Sequence, residues 1–310
     1  MTLLATQFAD LTTVIPRHYV HKAAQSEVLL TSFEAITDDE FVLTAQWPRT
    51  HSFYDVVRGS HDPLLVAETV RQVVPLLSHL GYGAPFGHRQ IWEHLAWNVE
   101  PDALSGAATP AELGLYVRCF DIVRRASRLA ALTMDVGITR NGVVLGSAVT
   151  RFANQAPAVY SRLRGAYADL DHALSRCPEP TAPLDARLVG RDRERDVVLS
   201  DGGAPGRYLL RVDLDHPVLF DHPVDHAPGM LLLEAARQAA HAAAQPEFAV
   251  ITGMDTRFLR YVEFDAPCRI EAEPLGDVPG DRSATRVTAV QHDHEVFTAT
   301  VTARRGPHGG

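Results

Sequence analysis

HAPGMLLLEAARQAAHA, residues 226–242, decides how this chain is read. Pro-Gly at its start is a helix-opening signal, because proline is pre-set for the first turn and glycine lets other groups approach the backbone. Projected at 100° per residue, Glu234, Arg237, Gln238 and His241 share one face, and Leu232, Ala235, Ala236, Ala239 and Ala240 share the other. Taken alone this is an amphipathic helix with a Glu-Arg i,i+3 pair in water, contributing about 0.2–0.5 kcal/mol. An Ala-rich face allows close approach to a sheet, which leaves the polar stripe to face another part of the protein or a reaction.

The stretch has a counterpart. HDPLLVAETVRQ (residues 61–72) repeats His-x-Pro and Glu-x-x-Arg-Gln, with Glu68 placed 166 positions before Glu234. Upstream, FVLTAQWPRTHSFYD from Phe41 aligns with YLLRVDLDHPVLFDH from Tyr208 at an offset of 167. Downstream, TRNGVVLGSAVTR from Thr139 matches QHDHEVFTATVTAR from Gln291 as strand, turn and strand. The chain therefore reads as two copies of one domain, 1–175 and 176–310. In the first copy strands are expected at 27–30, 41–47, 90–99, 113–122, 129–139 and 143–152, and a long helix at about 63–80. Alternation such as Val143, Leu145, Ser147, Val149 marks half-buried antiparallel strands. The second long helix spans about 228–244. One long helix against an antiparallel sheet in each half is an α+β layer architecture. A polar helix at 160–175 and the Pro-rich CPEPTAPLD (177–185) join the copies.

Composition sets outer bounds. The 310 residues are 46% hydrophobic and 22% charged, which are globular values. No apolar run of about 18 residues predicts a membrane span, and no basic segment precedes the short apolar patch at the N-terminus, so a secretory signal is not expected. Three dispersed cysteines, Cys119, Cys177 and Cys268, suit reduced thiols and a cytoplasmic location. A formal net charge of -9 disfavours nucleic-acid binding.

DHPVDHAPGMLLLEAARQAA resembles the central helix of the hot-dog fold, where a His-containing loop precedes Pro-Gly and an acidic residue falls six positions after the proline, as Glu234 does after Pro228. His222 matches the loop histidine best. With VHKAAQSEVLLT from Val20, FVLTAQWPRTHSFY, HDPLLVAETVRQ and PFGHRQIW from Pro85, the chain is similar to the A-factor biosynthesis family of double hot-dog proteins over most of its length. The resemblance implies a tandem hot-dog fold, a pseudo-dimer within one chain that can also form a homodimer. It also implies transfer of a β-ketoacyl group from an acyl carrier protein or CoA thioester to dihydroxyacetone phosphate, giving the ester precursor of butenolide and γ-butyrolactone signals. No cofactor and no metal are implied.

The residues suit that chemistry. A hydroxyl attacking a thioester needs a base, with Glu234 as first candidate and Glu68 as its copy. A phosphate is best held by a guanidinium fork, from Arg237 with Arg71 or Arg49 assisting. Free N–H groups at Gly229 suit an oxyanion, and His222 and Gln238 are candidates for holding substrate. Gly229 has no equivalent after Pro63, which favours the second copy as the catalytic half. The Asp-His pairs of DHPVLFDHPVDH (215–226) read more readily as turn residues than as metal ligands. Arg187, Arg191, Arg193 and Arg195 read as a solvated face, with carrier-protein docking as the alternative. A hot-dog dehydratase or thioesterase, or an acyl-ligand binder without turnover, remain the competing functions.

Overall fold

The computed structural model describes residues 14–245 and 249–305. In the first half, β1 (Leu30–Ala35) and β2 (Glu40–Trp47) precede helix α1 (Leu64–Leu76). Then follow β3 (Arg89–Val99), β4 (Ala111–Arg125), β5 (Arg128–Arg140) and β6 (Val143–Gln155). Short helices α2 (Pro157–Arg164) and α3 (Leu170–Ser175) lead to the second half. There β7 (Leu199–Ala204) and β8 (Arg207–Leu210) precede helix α4 (Gly229–Ala244). Strands β9 (Ala249–Phe258), β10 (Arg269–Val278), β11 (Arg282–Gln291) and β12 (His294–Arg305) complete it.

The twelve strands of the described residues form one antiparallel sheet in the order β1-β2-β4-β5-β6-β3-β9-β12-β11-β10-β8-β7. Read from either edge, the order of equivalent strands is the same, so the halves are related as two protomers of a dimer. The expectation of a separate sheet behind each helix is corrected: β3 and β9 pair from His94↔Arg257 to Asn98↔Gly253 and fuse two six-stranded sheets edge to edge. This joint removes two exposed edges that would otherwise invite aggregation. No described helix is long and apolar enough to cross a membrane.

Strand periodicity explains the core. In β2, Phe41, Leu43, Ala45 and Trp47 are buried on alternate positions, and β4 does the same with Leu113, Leu115 and Val117. Helix α4 packs on β9 to β12, and α1 and α4 touch each other. In α4 every residue from Met230 to His241 is buried, the polar stripe included. Pro75 lies inside α1 and cannot donate to the carbonyl one turn back; the helix then loosens into a π turn over Leu77–Gly81.

Three local expectations change. Residues 27–30 are not a strand: a 3-10 turn covers Gln25–Glu27 and the strand starts at Leu30. The helix expected at 160–175 is broken at Gly165, whose φ of 57° and ψ of -129° leave helical space. Its pieces pack on the second half, with the Tyr160 hydroxyl donating to Asp225 at 2.8 and 2.7 Å and Tyr167 to Asp265 at 3.0 Å. The upstream repeat is offset by 165, not 167. His51 Nδ1 accepts the N–H groups of Phe53 and Tyr54, and His216 Nδ1 does the same for Val218 and Leu219. The downstream match is as expected, with Asn141-Gly142 and His292-Asp293 at positive φ in the two hairpin turns.

Candidate active site

The stripe on α4 is a buried ion cluster. Arg237 donates to both Glu234 oxygens at 2.8 Å, as the i,i+3 spacing allows. Arg191, from the segment before β7, grips the same oxygens at 2.8 and 2.7 Å. Gln238 adds a further bond to Glu234 Oε1, donates to the Asp196 carbonyl at 2.8 Å and accepts the Val198 N–H at 2.9 Å. The Glu234 side chain is 0% exposed. Burial would raise its pKa, but the fields of Arg191 and Arg237 win and hold the carboxyl well below its usual range.

Helix α1 carries a matching, looser cluster. Arg71 donates to Glu68 at 2.9 and 3.0 Å, Gln72 at 2.8 Å, and Lys22 lies 3.1 Å from Oε1. Gln72 also donates to the Glu27 carbonyl and accepts the Leu29 N–H, each at 2.8 Å. Burial opposes ionisation of Glu68, yet Arg71 and Lys22 hold its pKa down to about 2. Lys22 and Arg191 are equivalents, since VHKAAQSEVLLT aligns with VGRDRERDVVLS (189–200) at an offset of 169.

Each cluster is completed by the other half. Arg191 donates to the Phe53 carbonyl at 2.6 Å, lies 3.4 Å from Asp62 and stacks on the Phe53 ring at 4.1 Å. Reciprocally, Asp221 from the loop before α4 accepts the Ala23 N–H at 2.9 Å, next to Lys22. Asp221 also accepts from His222 Nδ1, which leaves His222 Nε2 open. Tyr54 is buried where the fields of Glu68 and Glu234 both reach it; burial, then Glu68 and Asp62, push its pKa well up.

The two helix starts differ. Asp62 caps α1, accepting the Leu64 N–H at 2.9 Å. Among the described residues no side-chain hydrogen bond caps the start of α4, which leaves the positive end of its dipole without a capping carboxylate there. Gly229 is required by packing: a Cβ there would come within 2.7 Å of the Trp92 ring.

These positions alter several expectations. The polar stripe does not face water, and the exposed-pair energy does not apply. Glu234 as a free base is corrected, since five donor atoms occupy its oxygens. Arg237 is spent on Glu234, and Gln238 is spent on pinning the 3-10 segment at 194–196, so neither is open to substrate. Arg191 is no part of a solvated run. Arg49 is exposed on the loop after β2, and among the described residues no hydrogen bond or ion pair links it to either glutamate. Glu68, Arg71 and His222 do come together with Lys22 and Asp221. Their openness differs from that of the second cluster: the Arg71 side chain is 21% exposed and His222 is 43% exposed. Lys22, Arg191, His21 and Asp221 were missed; the offset of 169 in VHKAAQSEVLLT was the signal for the first two. Among the described residues no group of three or more His, Cys, Asp or Glu is suited to hold a metal.

One long helix per half, a shared antiparallel sheet and paired acid-base clusters at the seam define a double hot-dog protein. The chain belongs to the A-factor biosynthesis hotdog domain family, whose model matches residues 4–154 and 172–305. It is 44% identical to a 2-oxo-3-(phosphooxy)propyl 3-oxoalkanoate synthase of Streptomyces virginiae over 95% of this chain and 99% of that one. It is 39% identical to the synthase of the same name from Streptomyces coelicolor, over 93% and 90%. The fold is similar to that of a 12:0-ACP thioesterase from Umbellularia californica, with a TM-score of 0.52 at 11% identity over 86% of this chain and 94% of that one.

Proposed function

We propose that this chain is an acyltransferase that moves a 3-oxoacyl group from a carrier-protein or CoA thioester to the hydroxyl of dihydroxyacetone phosphate. The name shared by its relatives describes an ester of a 3-oxo acid with an alcohol bearing a ketone and a phosphooxy group. That alcohol is dihydroxyacetone phosphate. Its hydroxyl oxygen bonds to the thioester carbon, the C–S bond breaks, and the hydroxyl proton passes to the departing thiolate. The product carries an acidic methylene between two carbonyls, positioned to condense with the ketone to a butenolide, the precursor type of γ-butyrolactone signals.

The single observation that carries the choice of site is the openness of the Glu68 cluster beside the closure of the Glu234 cluster. Arg71 holds Glu68 through Nε and Nη2 and, being part exposed, keeps Nη1 for the phosphate, while Lys22 adds a point charge. Glu68 holds those cations in place and does not itself take the proton. His222, oriented by Asp221, presents Nε2 to the hydroxyl as base. The uncapped start of α4 stabilises the carbonyl oxygen as it becomes an oxyanion. The active site is thus built from the helix of the first half and the loop and helix start of the second. Mass spectrometry of purified protein with a 3-oxoacyl thioester and dihydroxyacetone phosphate should show the phosphorylated ester. Free acid or unchanged thioester in its place overturns this reading.

A further inference from the structure

The loop before α4 carries two Asp-His pairs four residues apart, and the transfer proposed for this chain uses only the first, Asp221-His222. In the second, His226 Nδ1 donates to Asp225 Oδ1 at 2.7 Å. Asp225 is 6% exposed and also accepts the Tyr160 hydroxyl on both oxygens, at 2.8 and 2.7 Å. Burial opposes ionisation of Asp225, but the bonds from His226 and Tyr160 and the field of Arg164 hold its pKa down to about 2. An ionised carboxylate only accepts, so His226 Nδ1 carries a proton and the ring is fixed in orientation. Tyr261 packs edge-on against the imidazole at 4.8 Å. Arg164, paired with Glu263 and bonded to the Asp225 carbonyl at 3.1 Å, lies 4.0 Å over the Tyr261 ring. His226 itself is 27% exposed, and among the described residues its Nε2 makes no hydrogen bond.

The His-x-Pro motif of the first half is built differently. His61 is 2% exposed and lies 5.6 Å from the Trp47 ring, and among the described residues neither of its ring nitrogens has a hydrogen-bond partner. Ser60 precedes it, where Asp225 precedes His226. A histidine that only opens a helix does not call for a buried carboxylate with a buried tyrosine behind it. A ring oriented through Nδ1 and open at Nε2 is the arrangement of a proton-transfer group.

The two pairs are anchored on different partners. Asp221 accepts the Ala23 N–H at 2.9 Å, which ties His222 to the first half beside Lys22. Asp225 and His226 are tied instead to Tyr160 of α2 and to Tyr261, and His226 stands two residues before Pro228, the N-cap of α4. The entering hydroxyl belongs to the first side, and the thioester carbonyl to the start of α4.

We propose that His226 protonates the departing sulfur, with Asp225 and Tyr160 as positioning residues. His222 Nε2 takes the hydroxyl proton as the hydroxyl oxygen bonds to the thioester carbon. As the C–S bond breaks, its electron pair goes to sulfur, and the Nε2 proton of the His226 imidazolium passes to it. Solvent then returns a proton to His226 and removes one from His222, so the net change is one proton from alcohol to thiol. The inference rests on the acyl-transfer reading and assigns the second proton step of that reaction.

Two 3-oxoacyl thioesters, one of N-acetylcysteamine and one of 4-nitrothiophenol, test it on the full chain with dihydroxyacetone phosphate as acceptor. Thiol release and ester formation are measured together. The aliphatic sulfur gains from a proton as it departs, whereas the nitroaryl thiolate is stable enough to leave without one. His226→Gln should lose roughly 10²-fold in kcat on the aliphatic thioester and under about threefold on the aryl one. His222→Gln should lose on both alike, because the hydroxyl must still be activated. Equal losses on the two thioesters in His226→Gln, or no loss on either, overturns the proposal. Should that variant fail to fold, Tyr160→Phe, which removes only the hydroxyl, should still lose more on the aliphatic thioester, and equal rates or equal losses there overturn it too. Free acid in place of ester with the same leaving-group pattern would keep His226 as the acid and remove the transferase reading. Ester formed without that pattern would do the reverse, and thiol release from neither thioester in the unaltered protein overturns both.

Discussion

Arg191 grips both carboxylate oxygens of Glu234, at 2.8 and 2.7 Å, while its own ring-stacking and carbonyl contacts belong to Phe53 in the other half. One side chain therefore neutralises a fully buried acid and ties the halves together. This makes the second cluster a structural element, with consequences opposite to those of an exposed helix pair.

Glu234→Gln should destabilise the chain severely. It leaves the buried Arg237 without its carboxylate and Arg191 with Asp62 alone, and breaking a buried pair from one side costs about 3–5 kcal/mol. The thermal midpoint should drop by on the order of ten degrees. A midpoint within a degree or two of the parent would return Glu234 to a role outside the fold's stability.

Arginine-to-lysine changes at equivalent positions should separate the two clusters. Arg71→Lys should raise the KM for dihydroxyacetone phosphate with little change in the thioester KM, because a point charge replaces a planar fork. Arg237→Lys should lower stability and leave the acceptor KM near normal. Steady-state kinetics with each substrate varied in turn checks both; the reverse pattern would move the active site to the second half.

Acid stability should fall in two windows. His21 and His241 are held neutral, both down to about 3, by burial first and then by neighbouring charges that include Arg71 for His21 and Arg237 for His241. Their folded pKa values lie below the unfolded 6.5, so stability is present above pH 6.5 and is lost as pH falls toward 3. Glu68, at about 2 against 4.5, adds a loss that begins only below pH 4.5 and totals on the order of 3 kcal/mol. Denaturation midpoints against pH should therefore flatten from 6.5 downward in His21→Gly, and only below 4.5 in Glu68→Gln. Identical curve shapes for the two variants would contradict the assignment.

Gly229→Ala tests the start of α4. The new Cβ would lie 2.7 Å from Trp92 Cε3, so ring or helix must move. Overpacking of this kind costs about 1–3 kcal/mol. Transfer should fall by more than thioester affinity does, because the displaced N–H groups act on the oxyanion and not on the ground-state carbonyl. A variant of normal kcat would show that those N–H groups are not used.

The repeat of Glu-x-x-Arg-Gln, the strand alternation and the Pro-Gly start were local signals, and from them the sequence determined two copies of a helix-on-sheet unit and the residues that meet at their helices. Periodicity of 2 or 3.6 is a property of neighbouring residues, and it survives without knowledge of what packs where. What faces the polar stripe is not local. Helical projection separates Glu234 and Arg237 from the alanines, but only the β3–β9 joint brings the first half's Phe53 and Asp62 against Arg191, and Asp221 against Lys22. That cross-pairing made Arg191 a buried partner where a run of arginines suggested a wet face. It closed the Glu234 cluster that the Pro-Gly motif had favoured, and left the Glu68 cluster open. Charge, burial and reach depend on which segments desolvate one another, and that is decided only when both halves share one sheet.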